Sequence, residues 1–354
     1  MERLDRIRDI LKTIGADGII TYSPENRRYL SGFTGTTGYV IIGKKQAGFI
    51  TDFRYTEQAA KQCKGYEIIK NENPLIEYLA DTIKKYHINN LAFEDDYMTV
   101  DFYERLKENI NGIKMIPLKE SSGEIRIIKD DEELKNIAKA AEIADLAFTH
   151  ILDYIKPGVA ELDIALELEY FMKKNGASGN SFEPIIASGQ RSSMPHGVAS
   201  DKKINNGDLL TMDFGCVYNG YCSDMTRTIV VGKANEEQKK IYDIVLKAQN
   251  EALLHIKPGV SGKDVDKVAR DIISEAGFGD NFGHGLGHGV GLAIHEEPRL
   301  SPLGNRILEK NMVVTDEPGI YIPGFGGVRI EDLVAVGENG PIVFSKSPKE
   351  LIEL

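Results

Sequence analysis

The sequence predicts a two-domain chain: an α/β domain over residues 1–123, then an α+β domain over residues 124–354 made of two similar halves. Three observations predict it. Before residue 123, apolar positions at helical spacing alternate with short apolar runs. A polar patch, Ser121-Ser122-Gly123, then marks a linker. Beyond it, Ile155-Lys156-Pro157-Gly158-Val159 recurs as Ile256-Lys257-Pro258-Gly259-Val260, and each copy leads into a helical pattern that ends in glycine, Gly176 and Gly277.

In the first domain, Leu4, Ile7, Ile10, Leu11 and Ile14 recur on one helical face, and Gly15 offers a C-terminal cap. Strands are expected at 18–22, 39–42, 48–51, 67–69 and 91–93, with helices around 55–62, 75–86 and 100–110. Elements of this alternation build one sheet. No glycine-rich loop follows the first strand, so nothing there supports a nucleotide site. In the second domain, 130–154 reads as a long amphipathic helix whose acidic first turn suits the helix dipole. Further on, Gly207-Asp208-Leu209-Leu210-Thr211-Met212-Asp213-Phe214-Gly215 matches Lys310-Asn311-Met312-Val313-Val314-Thr315-Asp316-Glu317-Pro318-Gly319. Two halves, each a helix pair followed by strands, would pack about a pseudo-twofold axis. The repeat puts Asp213 and Glu317 at equivalent positions, one carboxylate from each half.

The formal net charge of -11 argues against a nucleic-acid partner, which needs clustered Lys and Arg. No run approaches the roughly 18 to 20 apolar residues of a membrane span. The N-terminal stretch mixes charges among its apolar residues and lacks a signal peptide's core, so a cytoplasmic location is expected. Cys63, Cys216 and Cys222 fit neither a disulfide framework nor a zinc-site spacing, and are expected as reduced, semi-buried thiols.

Acidic residues carry the chemistry. Asp213 ends the apolar run 209–214, and Asn219-Gly220 signals a tight hairpin. With those two residues as the loop, Asp213 pairs opposite Thr226, and Asp224 in the return strand lies diagonally on the same face. Two carboxylates on one buried face need a cation, or one must stay protonated. Glu317 follows the apolar run 312–314, and Glu331 is expected within a strand at 327–336. Of the histidines, His87, His150 and His255 sit in helical or helix-end contexts and read as ordinary, whereas His196, His284, His288 and His295 accompany the acidic segments. His284 and His288 are spaced as a helical metal pair, but Gly285 and Gly287 disfavour the helix, and only one of the two is expected to ligate. The glycines of His284-Gly285-Leu286-Gly287-His288-Gly289-Val290-Gly291 are better explained by close backbone approach than by a phosphate loop. Carboxylates with one imidazole favour manganese, with cobalt and zinc as alternatives. Four carboxylates exceed what one ion needs, which points to a bridged pair about 3.5 to 4 Å apart.

The chain resembles the pita-bread metallopeptidases of the prolidase and aminopeptidase P type. The resemblance rests on Met212-Asp213-Phe214-Gly215, Ser223-Asp224-Met225-Thr226-Arg227-Thr228, His284-Gly285-Leu286-Gly287-His288, Glu317-Pro318-Gly319 and Val328-Arg329-Ile330-Glu331-Asp332. The segment Asn26-Arg27-Arg28-Tyr29-Leu30-Ser31-Gly32-Phe33 is similar to one in the N-terminal domains of such enzymes. The resemblance implies that Asp213 chelates one metal, Asp224 and Glu331 bridge both, and His288 and Glu317 hold the other. It implies hydrolysis of Xaa-Pro bonds by a metal-bridging hydroxide, with Glu317 as proton shuttle. His196 and His295 would contact the substrate and stabilise the tetrahedral oxyanion or the leaving nitrogen. His284 would line the substrate site, Arg299 would bind a dipeptide's free carboxylate, and Arg329 would support the bridging carboxylate. The implied partners are proline-containing di- or oligopeptides and a second copy of the chain in a homodimer. The alternatives are a methionine aminopeptidase-like activity, metal-free hydrolysis as in creatinase-like relatives, and a catalytically silent peptide-binding module on the same fold.

Overall fold

A computed structural model of the chain describes residues 3–72, 74–119 and 121–354, with the backbone alone at 121–122. The chain divides into two compact units, Met1–Arg126 and Ile127–Leu354, where the sequence pattern suggests a boundary near residue 123. Among the described residues, no helix is long and apolar enough to cross a membrane.

In the first unit, α1 (Arg3–Thr13) gives way at Gly15, whose φ of +72° lets Ala16 N–H reach back 2.9 Å to the Leu11 carbonyl. The strands are β1 (Gly18–Thr21), β2 (Tyr39–Gly43), β3 (Ala47–Thr51), β4 (Glu67–Lys70), β5 (Asn90–Phe93) and β6 (Lys114–Pro117). They form one mixed sheet in the order β4-β3-β2-β1-β5-β6. Its helices are α2 (Pro24–Ser31), α3 (Thr56–Gln62), α4 (Leu75–Lys85) and α5 (Val100–Asn109). Two of these elements are not anticipated. The polar run of α2 is buried because Glu94, 1% exposed, accepts from Tyr22 N at 2.9 Å, Ser23 N at 3.1 Å and Asn26 Nδ2 at 2.6 Å. The edge strand β6 has only Met115 and Ile116 as an apolar run, and its proline is tolerated at an edge. The segment expected as a linker forms the short α6 (Ser121–Glu124), and serines open helices as readily as they make linkers.

In the second unit, α7 (Asp131–Leu152) begins with a capping box: Asp130 accepts from Glu132 N and Glu133 N, and Glu133 accepts from Asp130 N. With α8 (Glu161–Lys174) it leads into the strands β7 (Gly179–Asn180), β8 (Ile185–Ser188), β9 (Leu209–Phe214), β10 (Cys216–Tyr218), β11 (Tyr221–Cys222) and β12 (Met225–Val230). A second pair, α9 (Glu236–Leu253) and α10 (Gly262–Glu275), leads into β13 (Gly287–Gly289), β14 (Glu296–Leu300), β15 (Val313–Asp316), β16 (Gly319–Ile322), β17 (Gly326–Arg329), β18 (Asp332–Gly337) and β19 (Gly340–Val343). Antiparallel sheets run β12-β9-β8 and β14-β13-β15-β18-β19, with smaller ones of β11-β10-β7 and β16-β17. Each helix pair covers its own apolar layer. Phe148, Ile164, Leu168, Met212 and Phe214 share one core; Val245, Val265, Ile273, Val314 and Val334 share the other. The three cysteines are buried outright rather than half-buried.

The hairpin forms with Asn219 and Gly220 as its loop, both at positive φ (+45° and +79°), and Thr226 pairs opposite Asp213. Asp224, however, is not in the return strand. The ladder breaks at Gly215 and at Ser223–Asp224, because a Cβ on Gly215 would run into the Ser223 carbonyl, so the two backbones touch there. Glu331 likewise lies in a break, between β17 and β18, rather than inside one strand across 327–336. The repeat also shifts between sequence and ladder. Asp213 sits one residue inside the end of β9, whereas Glu317 sits one residue beyond the end of β15.

Gly215→Ala is expected to cost about 1–3 kcal/mol of stability, the range for forcing atoms into a filled space. Urea unfolding of the two proteins measures it, and a loss below about 0.5 kcal/mol would mean the backbones are not in contact.

Candidate metal centre

The two breaks bring carboxylates from both halves together. The Glu331 N–H donates to the Thr226 carbonyl at 3.1 Å, and the Thr226 hydroxyl donates to Glu331 Oε2 at 2.6 Å, stitching one half to the other. One ligand atom each from Asp224, His288 and Glu331 lie within 4.8 Å of one another. His288 Nε2 is 3.6 Å from Asp224 Oδ2 and 3.5 Å from Glu317 Oε1. Its Nδ1 lies 3.0 Å from the Gly289 carbonyl, which can only accept, so Nδ1 carries the proton and Nε2 turns a lone pair toward the acids. Burial, then the neighbouring His295, lowers the His288 pKa to about 4, keeping the ring neutral. Thr315 orients both groups: its hydroxyl accepts from His288 N at 3.0 Å and donates to Glu317 Oε1 at 3.1 Å.

Charge is unbalanced at this place. Burial, then the repulsion of Glu331 and Asp213, pushes Asp224 well above the usual carboxylate range. Burial, then Glu317 and Asp213, does the same to Glu331, and burial first of all raises Glu317 to about 8. The compensating charge is Arg329, 3% exposed, whose Nη2 is 2.6 Å from Asp213 Oδ2. Burial works against its charge, but Tyr321 and the surrounding carboxylates hold its pKa above the ordinary value. Arg329 thus supports Asp213 rather than either carboxylate expected to bridge; it reaches Glu331 only through the Thr226 hydroxyl, 3.0 Å from its Nε. Among the described residues, no Lys or Arg pairs with Asp224, Glu317 or Glu331. Asp213 Oδ1 is buried with no hydrogen-bond partner.

A second acidic pair nearby provides the contrast. Asp316 and Asp332 are also buried, but Asp332 has Arg227 at 2.8 Å and Lys349 at 3.0 Å, and Gln249 Nε2 bridges the two acids at 3.2 and 3.0 Å. Two cations meet Asp332 there, while burial, then Asp332, pushes Asp316 well above the usual carboxylate range. Among the described residues Asp224, Glu317 and Glu331 have no such cation, and with Asp213 and His288 they offer hard oxygens and one imidazole lone pair, a donor set that suits divalent cations.

Of the remaining expected residues, His284, His295 and His196 lie around this group. His284 is taken up by hydrogen bonding: Nδ1 is 2.8 Å from the Gly285 carbonyl, and Nε2 is 2.8 Å from the Tyr321 hydroxyl, which accepts from Arg329 Nη1 at 2.8 Å. Burial lowers the His284 pKa to about 4. His295 is exposed, its ring centroid 4.3 Å from that of His288. His196 is exposed too, and its nearness disfavours the protonated forms of both His284 and His295. Arg299 stays apart from the carboxylates, with its side chain 73% exposed and its Nε 3.4 Å from Glu297 Oε1. Sequence spacing assigns no site role to Tyr321, Thr226 or Thr315. Only Thr226 carried a signal, its position opposite Asp213. The glycine run is explained by contact, since a Cβ at Gly287 would strike the Thr315 carbonyl, and one at Gly289 the Glu297 carbonyl.

A model of "Metallopeptidase family M24" matches residues 135–338, and one of the "Creatinase/Prolidase N-terminal domain" matches residues 3–128. The chain is 42% identical to a Xaa-Pro dipeptidase of Pyrococcus furiosus, over 99% of each chain. Among solved structures, it resembles a Xaa-Pro dipeptidase from Bacillus anthracis (50% identity, TM-score 0.98, covering 100% of this chain and 99% of that one). It also resembles an X-Pro aminopeptidase from Thermotoga maritima (37% identity, TM-score 0.91, covering 98% and 100%).

The raised acids set a pH dependence for the metal-free protein. Glu317 has an ordinary value of 4.5 and a folded value of about 8, so the folded state binds more protons than the unfolded state between them. Its favourable contribution is complete below pH about 4.5 and is lost as pH rises toward about 8. The melting temperature of chelated protein is therefore expected to fall across this window, and saturating MnCl2 to remove most of the fall. Calorimetry at fixed ionic strength checks it; a chelated protein that gains stability over the same window would contradict the charge imbalance.

Proposed function

The chain belongs to metallopeptidase family M24, and on that premise we propose that it hydrolyses the Xaa-Pro bond of short peptides with two divalent cations at this centre. Its α/β first domain and pita-bread second domain are those of the family. The observation that carries the reading is a set of four carboxylates, three buried and Glu317 half-buried, with one guanidinium to balance them. Full-length likeness to proteins named Xaa-Pro dipeptidase supports the substrate class.

In this reading Asp213, Asp224, His288, Glu317 and Glu331 would hold the cations. Bound there, the ions supply an activated water and polarise the scissile carbonyl. Glu317 Oε1 takes the proton of the attacking water and returns it to the proline nitrogen as the bond breaks. Thr315, hydrogen-bonded to that oxygen, fixes its direction. His295 and His196, both exposed beside the cluster, donate to the substrate carbonyl oxygen as it gains charge. Tyr321 and His284 hold Arg329, and through it Asp213, in place. Manganese in the metal positions, action in the cytoplasm and assembly as a homodimer complete the proposal.

The full metal-binding set disfavours a silent binding module, and the first domain, matched over residues 3–128, disfavours a methionine aminopeptidase-like enzyme. Between dipeptidase and aminopeptidase on longer peptides, the exposed guanidinium of Arg299 favours the dipeptidase, because a free C-terminal carboxylate can meet it as a bidentate partner.

Chelation is expected to abolish Ala-Pro hydrolysis and Mn to restore it; no cleavage of any Xaa-Pro peptide with Mn present would overturn the reading. Arg299→Ala is expected to cut kcat/KM about tenfold or more on Ala-Pro, as for loss of a charge-assisted pair of about 1.5–3 kcal/mol, and much less on a tripeptide. Equal losses on both substrates would remove the dipeptidase assignment.

A further inference from the structure

His196 has a substrate role in the reading above, yet it lies on an exposed turn between β8 and β9. What fixes that turn is a carboxylate elsewhere. Glu161, the first residue of α8, is 0% exposed, and both of its oxygens are engaged. Oε1 accepts from the Ser188 N–H and the Ser188 hydroxyl, each at 2.8 Å. Oε2 accepts from the Ser200 hydroxyl at 2.6 Å and from Arg191 Nη1 at 3.2 Å. Arg191 in turn donates through Nη2 to the Val198 carbonyl at 2.7 Å. The segment 188–200 is thus closed at both ends on one buried carboxylate, with His196 between them. Leu162 N–H also donates to the Ser200 carbonyl at 2.9 Å, so the start of α8 and the end of the segment are locked together.

We infer that Glu161 is a positioning residue for His196: its carboxylate closes the segment that carries the histidine, and it acts on turnover through that side chain. The inference rests on the proposed substrate role of His196. A carboxylate is required because every partner is a donor. An amide at this place has one accepting oxygen and one donating nitrogen, so either the Ser188 pair or the Ser200–Arg191 pair would face a donor. The segment would then be released at one end. A displacement of about 1 Å in a group that meets the transition state costs on the order of 100-fold in rate.

The competing role for Glu161 is simple support of the α8 start, where an acid suits the helix dipole. A mutant cycle on the full chain separates them. Wild type, Glu161→Gln, His196→Ala and the double variant are loaded with Mn and assayed on Ala-Pro, with bound Mn per chain and thermal melting measured alongside. Expected is a loss of roughly 10- to 100-fold in kcat/KM for Glu161→Gln at unchanged Mn content. In the His196→Ala background, the same change should cost less than about twofold, as coupled sites are non-additive. Multiplying losses, or a loss that tracks Mn content or folded fraction, would overturn the positioning role and leave the role of His196 standing. A silent His196→Ala, or a wild type inactive on Ala-Pro, would instead refute the underlying reading and this inference with it. Should Glu161→Gln fail to fold, Ser200→Ala enters the same cycle, with a severalfold loss expected alone and none beyond that of His196→Ala.

Discussion

Negative charge that the protein does not itself neutralise is the constraint on which the second unit depends. Asp224, Glu317 and Glu331 are held together with no Lys or Arg paired to them among the described residues, while Asp213 takes the guanidinium of Arg329. A like-charged group out of water is costly unless a cation joins it or protons neutralise it. The surroundings are rigid in the way that cost demands. Thr226 holds Glu331, Thr315 holds Glu317, and Arg329, braced by Tyr321, holds Asp213, while the glycines from 285 to 289 let backbone close in where any side chain would collide. Fold and chemistry meet in one arrangement: two short interruptions in otherwise regular ladders, at Asp224 and at Glu331, where a side chain leaves the pleat.

Much of this was legible in the sequence, for local reasons. Asn219-Gly220 specifies a two-residue turn, and the turn alone sets Thr226 opposite Asp213. Asp130 and Glu133 announce the start of α7 through a capping box, and Gly15 closes α1. The repeated segments mark two halves because each helix pair must cover its own apolar layer.

The rest depended on contacts that spacing does not encode. Nothing local shows that Gly215 lies against Ser223, so spacing alone predicts a continuous ladder with Asp224 inside it. The polar α2 needed Glu94, far along the chain, to become buried. The partner of Arg329 is chosen by tertiary geometry: its guanidinium meets Asp213 from the other half, not Glu331 two residues along the chain. Tyr321 looks like any apolar strand residue until its hydroxyl is seen between His284 and Arg329.

The stitch between Thr226 and Glu331 has a mechanical meaning. Asp213 and Asp224 come from one half, and His288, Glu317 and Glu331 from the other, so neither half owns a complete set of donors. Were the backbone cut in the connection between β12 and α9, a divalent ion would serve as a rivet between two fragments. Fragment affinity and ion affinity would then share one coupling free energy, so each would rise with the other by the same factor.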